Sequence, residues 1–354
     1  MSIQLAALIT SFVIAFLILP VIIKYSHKKN ILDIPGRRKI HKKVTPSMGG
    51  IAIFGGFFLA SLIWLDFASL GHIRFVLVAL FIIFFIGVRD DLVPLRPYLK
   101  LLGQIMSACL LVILFDLRID SFYGMFSVYD LPDGVSYGLT VFTVIVVTNS
   151  FNLIDGLDGL AGTIASISLL TFGIWFFLVG DTVFGLITFA MLGAILAFLI
   201  FNWEPSEVFM GDTGALVIGM FLAIMVIHFM NVNFALPANH DYKFIPTIGA
   251  GACFIMIPLV DTLRIVILRL SKGQSPFRPD KSHVHHAIMR LGKTHSQTTI
   301  ILGITQVFFI IMAIVLNGIS DVYFLSGVIV CSIILSVILD RLILKKLDVK
   351  EIPD

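Results

Sequence analysis

The sequence predicts an all-α protein that passes through a lipid bilayer many times. Three observations carry the prediction. Hydrophobic residues make up 58% of the 354 positions and charged residues only 13%, against about a quarter charged in an ordinary soluble domain. The mean hydropathy is +1.03. Apolar runs close to the roughly 20 residues a helix needs to cross hydrocarbon recur from end to end, with only short polar breaks.

Taken in order, about eleven such runs are expected. The first, near 3–24, lacks the basic start and small-residue cleavage site of a signal peptide and reads as a span. Runs near 48–70 and 73–88 follow, the latter short and closed by Arg89-Asp90-Asp91. The next lie near 99–117 and 135–152, the second leading into NSFNLIDGLDG. Then come 159–179, 183–202 and 214–230, the last preceded by GDTG, and finally 245–268, 297–318 and 322–342. No long soluble insertion, heptad pattern or internal repeat interrupts them, so 1–354 reads as one membrane domain. Cys109, Cys253 and Cys331 all fall inside apolar runs without metal-ligand spacing and read as packing residues. A net charge of +3 gives no reason to expect a nucleic acid partner.

Basic residues set the expected orientation. With the N-terminus outside and the C-terminus inside, only Arg74, Arg118 and Lys243 of the 25 Lys and Arg fall outside. The loops near 25–47, 89–98, 203–213 and 269–296 are then cytoplasmic.

The acids divide unequally on this map. Outside, Asp66, Asp116, Asp120, Asp130, Asp133, Asp181, Asp241 and Asp321 are scattered over loop ends. On the cytoplasmic side Asp90 and Asp91, Asp155 and Asp158, Asp212, Asp261, and the loop bearing His283, His285 and His286 share one depth. Asn149, Asn152, Asp155 and Asp158 follow one another at i, i+3 spacing, so neighbours lie on adjoining parts of one surface. Gly156 and Gly159 favour a helix break there. Carboxylates near hydrocarbon are costly unless they face a polar cavity or a partner, and a divalent cation held by oxygen ligands is one such partner. Each group also has a plainer reading. Asp90–Asp91 could begin a loop, Asp261 could pair with Arg264, Asp212 could cap a helix, and the histidines could be solvated. Their coincidence on one side favours a shared site.

These motifs resemble the polyprenyl-phosphate N-acetylhexosamine-1-phosphate transferases, membrane enzymes that begin cell-envelope glycans. The resemblance rests on TPSMGG at 45–50, DD at 90–91 with KLLGQ at 100–104, NSFNLIDGLDGL at 149–160, FMGDTG at 209–214 and PFRPDKSHVHH at 276–286. The histidine segment is similar to the undecaprenyl-phosphate N-acetylglucosamine-1-phosphate transferases, which prime teichoic acid, lipopolysaccharide O-antigen or enterobacterial common antigen. Pro94 stands where some members carry a third acid, and Ala215 follows GDTG where many have Ser. The lack of a long extra-membrane insertion points to a bacterial inner-membrane enzyme.

The resemblance implies transfer of N-acetylglucosamine 1-phosphate from UDP-N-acetylglucosamine to undecaprenyl phosphate, releasing UMP. It implies Mg²⁺, with Mn²⁺ as a substitute, held by Asp212 first and Asp155 second. Asp90, Asp91, Asp155 and Asp158 are its candidate catalytic carboxylates. Lys100, Asn149, Asn152, Arg278, His283, His285 and His286 are its candidate substrate contacts. A homodimer is compatible with it. The muramoyl-pentapeptide phosphotransferases of peptidoglycan synthesis are the alternative branch. A nucleotide-sugar transporter is the alternative class, but a transporter should place its charges near the bilayer midplane and show related halves.

Overall fold

The computed structural model describes residues 2–29, 45–271, 273–275 and 283–350. As expected, its regular elements are helices: α1 (Ile3–Lys29), α2 (Gly49–Trp64), α3 (Phe67–Leu92), α4 (Pro97–Leu114), α5 (Asp133–Ile154), α6 (Leu160–Leu178), α7 (Thr182–Asn202), α8 (Gly211–Ala235), α9 (Thr247–Phe254), α10 (Met256–Ser271), α11 (Val284–Arg290), α12 (His295–Val315) and α13 (Asp321–Lys350). Among the described residues, nine are long and apolar enough to cross a membrane, or ten if α9 and α10 form one bent span.

The expected count of about eleven is therefore not confirmed. The shortfall lies at α2, a helix of 16 residues where a span takes roughly 20. The third run, expected to be short, is the 26-residue α3. The boundary falls earlier than the hydropathy suggested because the Asp66 carboxylate accepts from Ser69 N at 2.6 Å and starts α3 there.

The ninth apolar run also departs from a straight span, bending by 90° between α9 and α10. Backbone groups freed at such a break need partners inside hydrocarbon. Gln306 of α12 supplies them: Nε2 donates to the Cys253 and Phe254 carbonyls at 2.9 Å each, and Oε1 accepts from Ile257 N at 3.1 Å. The three cysteines are free thiols.

α8 forms the centre of the bundle. Of its most apolar stretch 83% is buried, against 11% for α13 at the periphery. It packs on α5, α3, α2 and α9. Small residues allow the closest crossings: a side chain at Gly219 would meet the Thr148 carbonyl of α5 at 2.8 Å. Because the chain alternates direction, the ends of α3, α5 and α7 and the starts of α4, α6, α8 and α12 gather at one end of the bundle. That end carries the polar cluster.

Candidate active site

The cluster begins where α3 stops. Pro97 opens α4 in its first turn, a position where its missing N–H costs nothing. The tight turn between the helices aims Lys100 back at the end of α3. Its ammonium lies 2.6 Å from Asp90 Oδ2 and 2.9 Å from Asp212 Oδ1 at the start of α8. Asp90 also accepts from Leu95 N at 2.6 Å, which holds the α3–α4 turn. One ammonium thus serves two carboxylates on two helices.

Asp91 faces a different way. Its Oδ1 accepts from Asp212 N at 2.8 Å, and its Oδ2 accepts from Thr213 N at 3.0 Å and Thr213 Oγ1 at 2.5 Å.

The amide–acid series divides at Ile154, where α5 ends. Asn149 and Asn152 lie on the helix; Asp155 and Asp158 lie in the turn beyond it, as the two glycines foreshadowed. Gly159, at φ +73°, opens α6 in a conformation that suits glycine, and its N–H donates to Asn202 Oδ1 at 2.9 Å. Asn152 Nδ2 donates to Asp212 Oδ1 at 2.8 Å. Asn149 Nδ2 donates to Gln104 Oε1 at 2.6 Å and to the Ile145 carbonyl at 2.8 Å, joining α5 to α4 one turn beyond Lys100.

Burial, followed by repulsion from Asp212, Asp91 and Asp158, pushes the Asp155 carboxyl up to about 7. Asp158 behaves in the opposite sense. Burial opposes its ionisation, yet His295 and Ser206 outweigh that and hold its carboxyl below the usual range. His295 Nδ1 lies 3.4 Å from Asp158 Oδ2, and Thr299 Oγ1 donates to the Asp158 carbonyl at 3.1 Å.

The histidine segment closes over this turn. Asp261 of α10 accepts from Val284 N at 2.7 Å and bonds His283 Nδ1 at 2.8 Å. It does not rely on Arg264, which bonds Asp340 and Ser336 of α13. The His283 and His285 rings stack 5.4 Å apart, and the His286 ring lies 4.3 Å from that of His285. A side chain at Gly156 would come within 2.9 Å of His285 Nε2, so the imidazole rests on the DGLDG turn. Burial, then the adjacent His286, pushes His285 down to about 3 and leaves it neutral at pH 7.

The fold thus brings Asp90, Asp91, Lys100, Asn152, Asp155, Asp158 and Asp212 together, with His283, His285 and His286 beside them. Arg278 lies outside the described residues. Reading the sequence missed His295, Gln104 and Thr213. His295 had a usable signal: Thr294 and Gln297 form a capping box, a pattern that marks a helix start from sequence alone. Gln104 stood in KLLGQ without a role.

The donor set suits a hard divalent cation, because Asp155 and Asp212 are carboxylates whose charges repel. Among the described residues no three His, Cys, Asp or Glu converge as a complete metal cage. Mg²⁺ usually takes one or two carboxylates from a protein and completes its shell with substrate phosphates and water.

Residues 73–230 match the family model described as glycosyl transferase family 4. The match spans the polar residues from Asp90 to Asp212. The chain is 31% identical over 313 residues to the probable undecaprenyl-phosphate N-acetylglucosaminyl 1-phosphate transferase of Bacillus subtilis, covering 88% of this chain and 84% of the relative. It is 30% identical to the undecaprenyl-phosphate alpha-N-acetylglucosaminyl 1-phosphate transferase of Salmonella typhi, covering 84% and 80%. The enzyme of that name from Escherichia coli K12 is 31% identical, covering 79% and 74%.

Proposed function

The chain belongs to glycosyl transferase family 4, and from that premise we propose that it transfers N-acetylglucosamine 1-phosphate from UDP-N-acetylglucosamine to undecaprenyl phosphate, releasing UMP. One observation carries the reading: Lys100, Asp90, Asp212 and Asn152 converge from four helices at one end of a membrane bundle. A water-soluble donor and a lipid-tailed acceptor can meet only at such a boundary. The basic-residue distribution supports reading it as the cytoplasmic boundary of a bacterial inner membrane, with the N-terminus outside.

In the reaction an oxygen of the acceptor phosphate attacks the sugar-bearing phosphorus of the donor. The new P–O–P bond joins the sugar phosphate to the lipid, and the old one breaks with its electron pair leaving on UMP. A phosphate monoester has its second pKa near 6, so acceptor and released UMP are both largely dianions at pH 7. No net proton is consumed, and a strong general base is not required.

Lys100 offers its ammonium to phosphate oxygens in place of a carboxylate. Asn152 holds Asp212 in register with it. Asp212 and Asp155 would hold Mg²⁺, which when bound supplies Lewis-acid stabilisation of the charge growing on the diphosphate. The neutral His285, with His283 braced by Asp261, presents ring nitrogens beside the turn for hydrogen bonds to the donor.

The test incubates purified protein with radiolabelled UDP-N-acetylglucosamine, undecaprenyl phosphate and Mg²⁺. Labelled lipid and UMP are expected in equal amounts, with little product from UDP-muramoyl-pentapeptide. No labelled lipid would sink the reaction; preferred use of the pentapeptide donor would change the branch while leaving the chemistry in place.

A further inference from the structure

Asp91 sits in the acidic cluster, yet its hydrogen bonds are those of a helix cap. The N-cap position of α8 is Met210, which makes no side-chain capping bond. The first-turn amides that a capping oxygen ordinarily satisfies are the second and third of the helix. In α8 these belong to Asp212 and Thr213, and both donate to Asp91 from α3.

The surrounding packing leaves this turn little freedom. A side chain at Gly87, one helical turn before Asp91, would lie 2.4 Å from Thr213 Cα. One at Gly50 of α2 would lie 2.1 Å from Gly214 N. The TPSMGG segment adds backbone bonds: Gly49 N donates to the Phe209 carbonyl at 3.0 Å, Gly50 N to the Met210 carbonyl at 2.9 Å, and Phe209 N to the Pro46 carbonyl at 2.7 Å. Two segments far apart in sequence, the end of α3 and the TPSMGG stretch that opens α2, therefore grip the turn that carries Asp212.

We propose that Asp91 is a positioning residue: it caps α8 from outside and holds Asp212 against Lys100, touching neither donor nor acceptor. Both its oxygens are committed to α8. Asp90, bonded to Lys100, faces the reacting groups. The two neighbouring acids thus have different tasks, which follows from their pointing about 100° apart around one helix end. Turnover as a readout rests on the transfer reaction proposed above, so amide exchange is measured as well and does not depend on it.

The experiment compares Asp91→Asn, Thr213→Val, Thr213→Ser and the double variant Asp91→Asn/Thr213→Val. Asp91→Asn keeps an acceptor for one amide but loses the charge and a second acceptor. Its kcat should fall about 10- to 30-fold, as expected for weakened charge-assisted hydrogen bonds. KM for both substrates should stay within about twofold, because no substrate contact is removed. Thr213→Val should lose about 3- to 10-fold, and Thr213→Ser, which keeps the hydroxyl, should recover most of that. The double variant should be no worse than Asp91→Asn alone, since both changes act through one shared contact.

Hydrogen exchange of the amides at 211–214 should accelerate in Asp91→Asn and Thr213→Val. Unchanged exchange there would overturn the proposal. So would loss of all turnover in Asp91→Asn beside a wild-type rate in Thr213→Val, which would put Asp91 on the reacting atoms. If Asp91→Asn fails to fold, the Val and Ser variants at Thr213 decide the matter by the same two readouts.

Discussion

The two ends of the bundle use acidic residues in opposite ways. At the end away from the site, carboxylates meet amides or bases that satisfy them. Asp66 caps α3 through Ser69 N. Asp181 accepts from Phe184 N at 3.0 Å and bonds His228 at 2.7 Å. Asp321 accepts from Gly249 N at 2.7 Å and Ile248 N at 3.2 Å, capping α9 from α13. Asp116 and Asp133 share the Arg118 guanidinium at 2.6 and 3.0 Å. At the site end some acids behave identically: Glu204 accepts from Ser296 N at 2.7 Å, and Asp261 accepts from Val284 N. What differs is a remainder. Asp90 and Asp212 share one lysine, and Asp155 faces three carboxylates. Acids alone do not mark a site; carboxylates that must share a cation away from solvent do. Asp116 and Asp133 share Arg118 at 73% and 78% exposure, whereas Asp90 and Asp212 share Lys100 at 7% and 33%.

The comparison presumes that the two ends face different compartments, and an all-or-none measurement can break it. With the N-terminus outside, an impermeant thiol reagent on intact cells should label Asp130→Cys and spare Lys293→Cys. The reverse pattern would move the site to the other face of the membrane.

Next in size is removal of an acid from the remainder. Asp212→Asn should lower turnover on the order of 10²- to 10³-fold, the scale of deleting one preorganised electrostatic group. It should also weaken activation by Mg²⁺ while leaving the melting temperature near wild type. Ordinary Mg²⁺ dependence in the variant would remove Asp212 from the cation site.

A smaller effect reads the burial of the histidine segment. His285 is held down to about 3 in the folded protein, against about 6.5 for a free imidazole. Between those values the unfolded chain binds a proton that the folded chain does not, so stability should fall as pH drops through this window. At pH 5 the loss is about 2 kcal/mol. Melting curves at pH 7 and pH 5 should show this slope, and His285→Gln should flatten it. An equal slope in the variant would place the titration elsewhere.

The smallest effect belongs to the opposite end. Asp181→Ala removes a cap, costing about 1 kcal/mol of stability, and turnover should stay within about twofold of wild type. A large loss of turnover would mean that acids at both ends take part in the reaction, and the contrast would fail.

The sequence by itself determined that the chain is helical, membrane-embedded and polar at one end. Apolar run length and the side on which basic residues fall are local properties that add along the chain, so they survive without tertiary information. The convergence of the DD, NSFNLIDGLDG and GDTG motifs was legible for the same reason, since helices that alternate in direction put every second break at the same depth. Tertiary structure decided how the acids divide their work. Asp91 meets Thr213 across 122 positions and Asn152 meets Asp212 across 60, and no periodicity within one helix encodes a partner on another. It also decided the bend inside 245–268, where the Cys253-Phe254-Ile255 run reads as continuous hydrocarbon. A glutamine about 50 residues later supplies the hydrogen bonds that let the helix break. Burial makes an unpaired polar group costly, so the packed neighbours choose each carboxylate's task once the chain has brought them together.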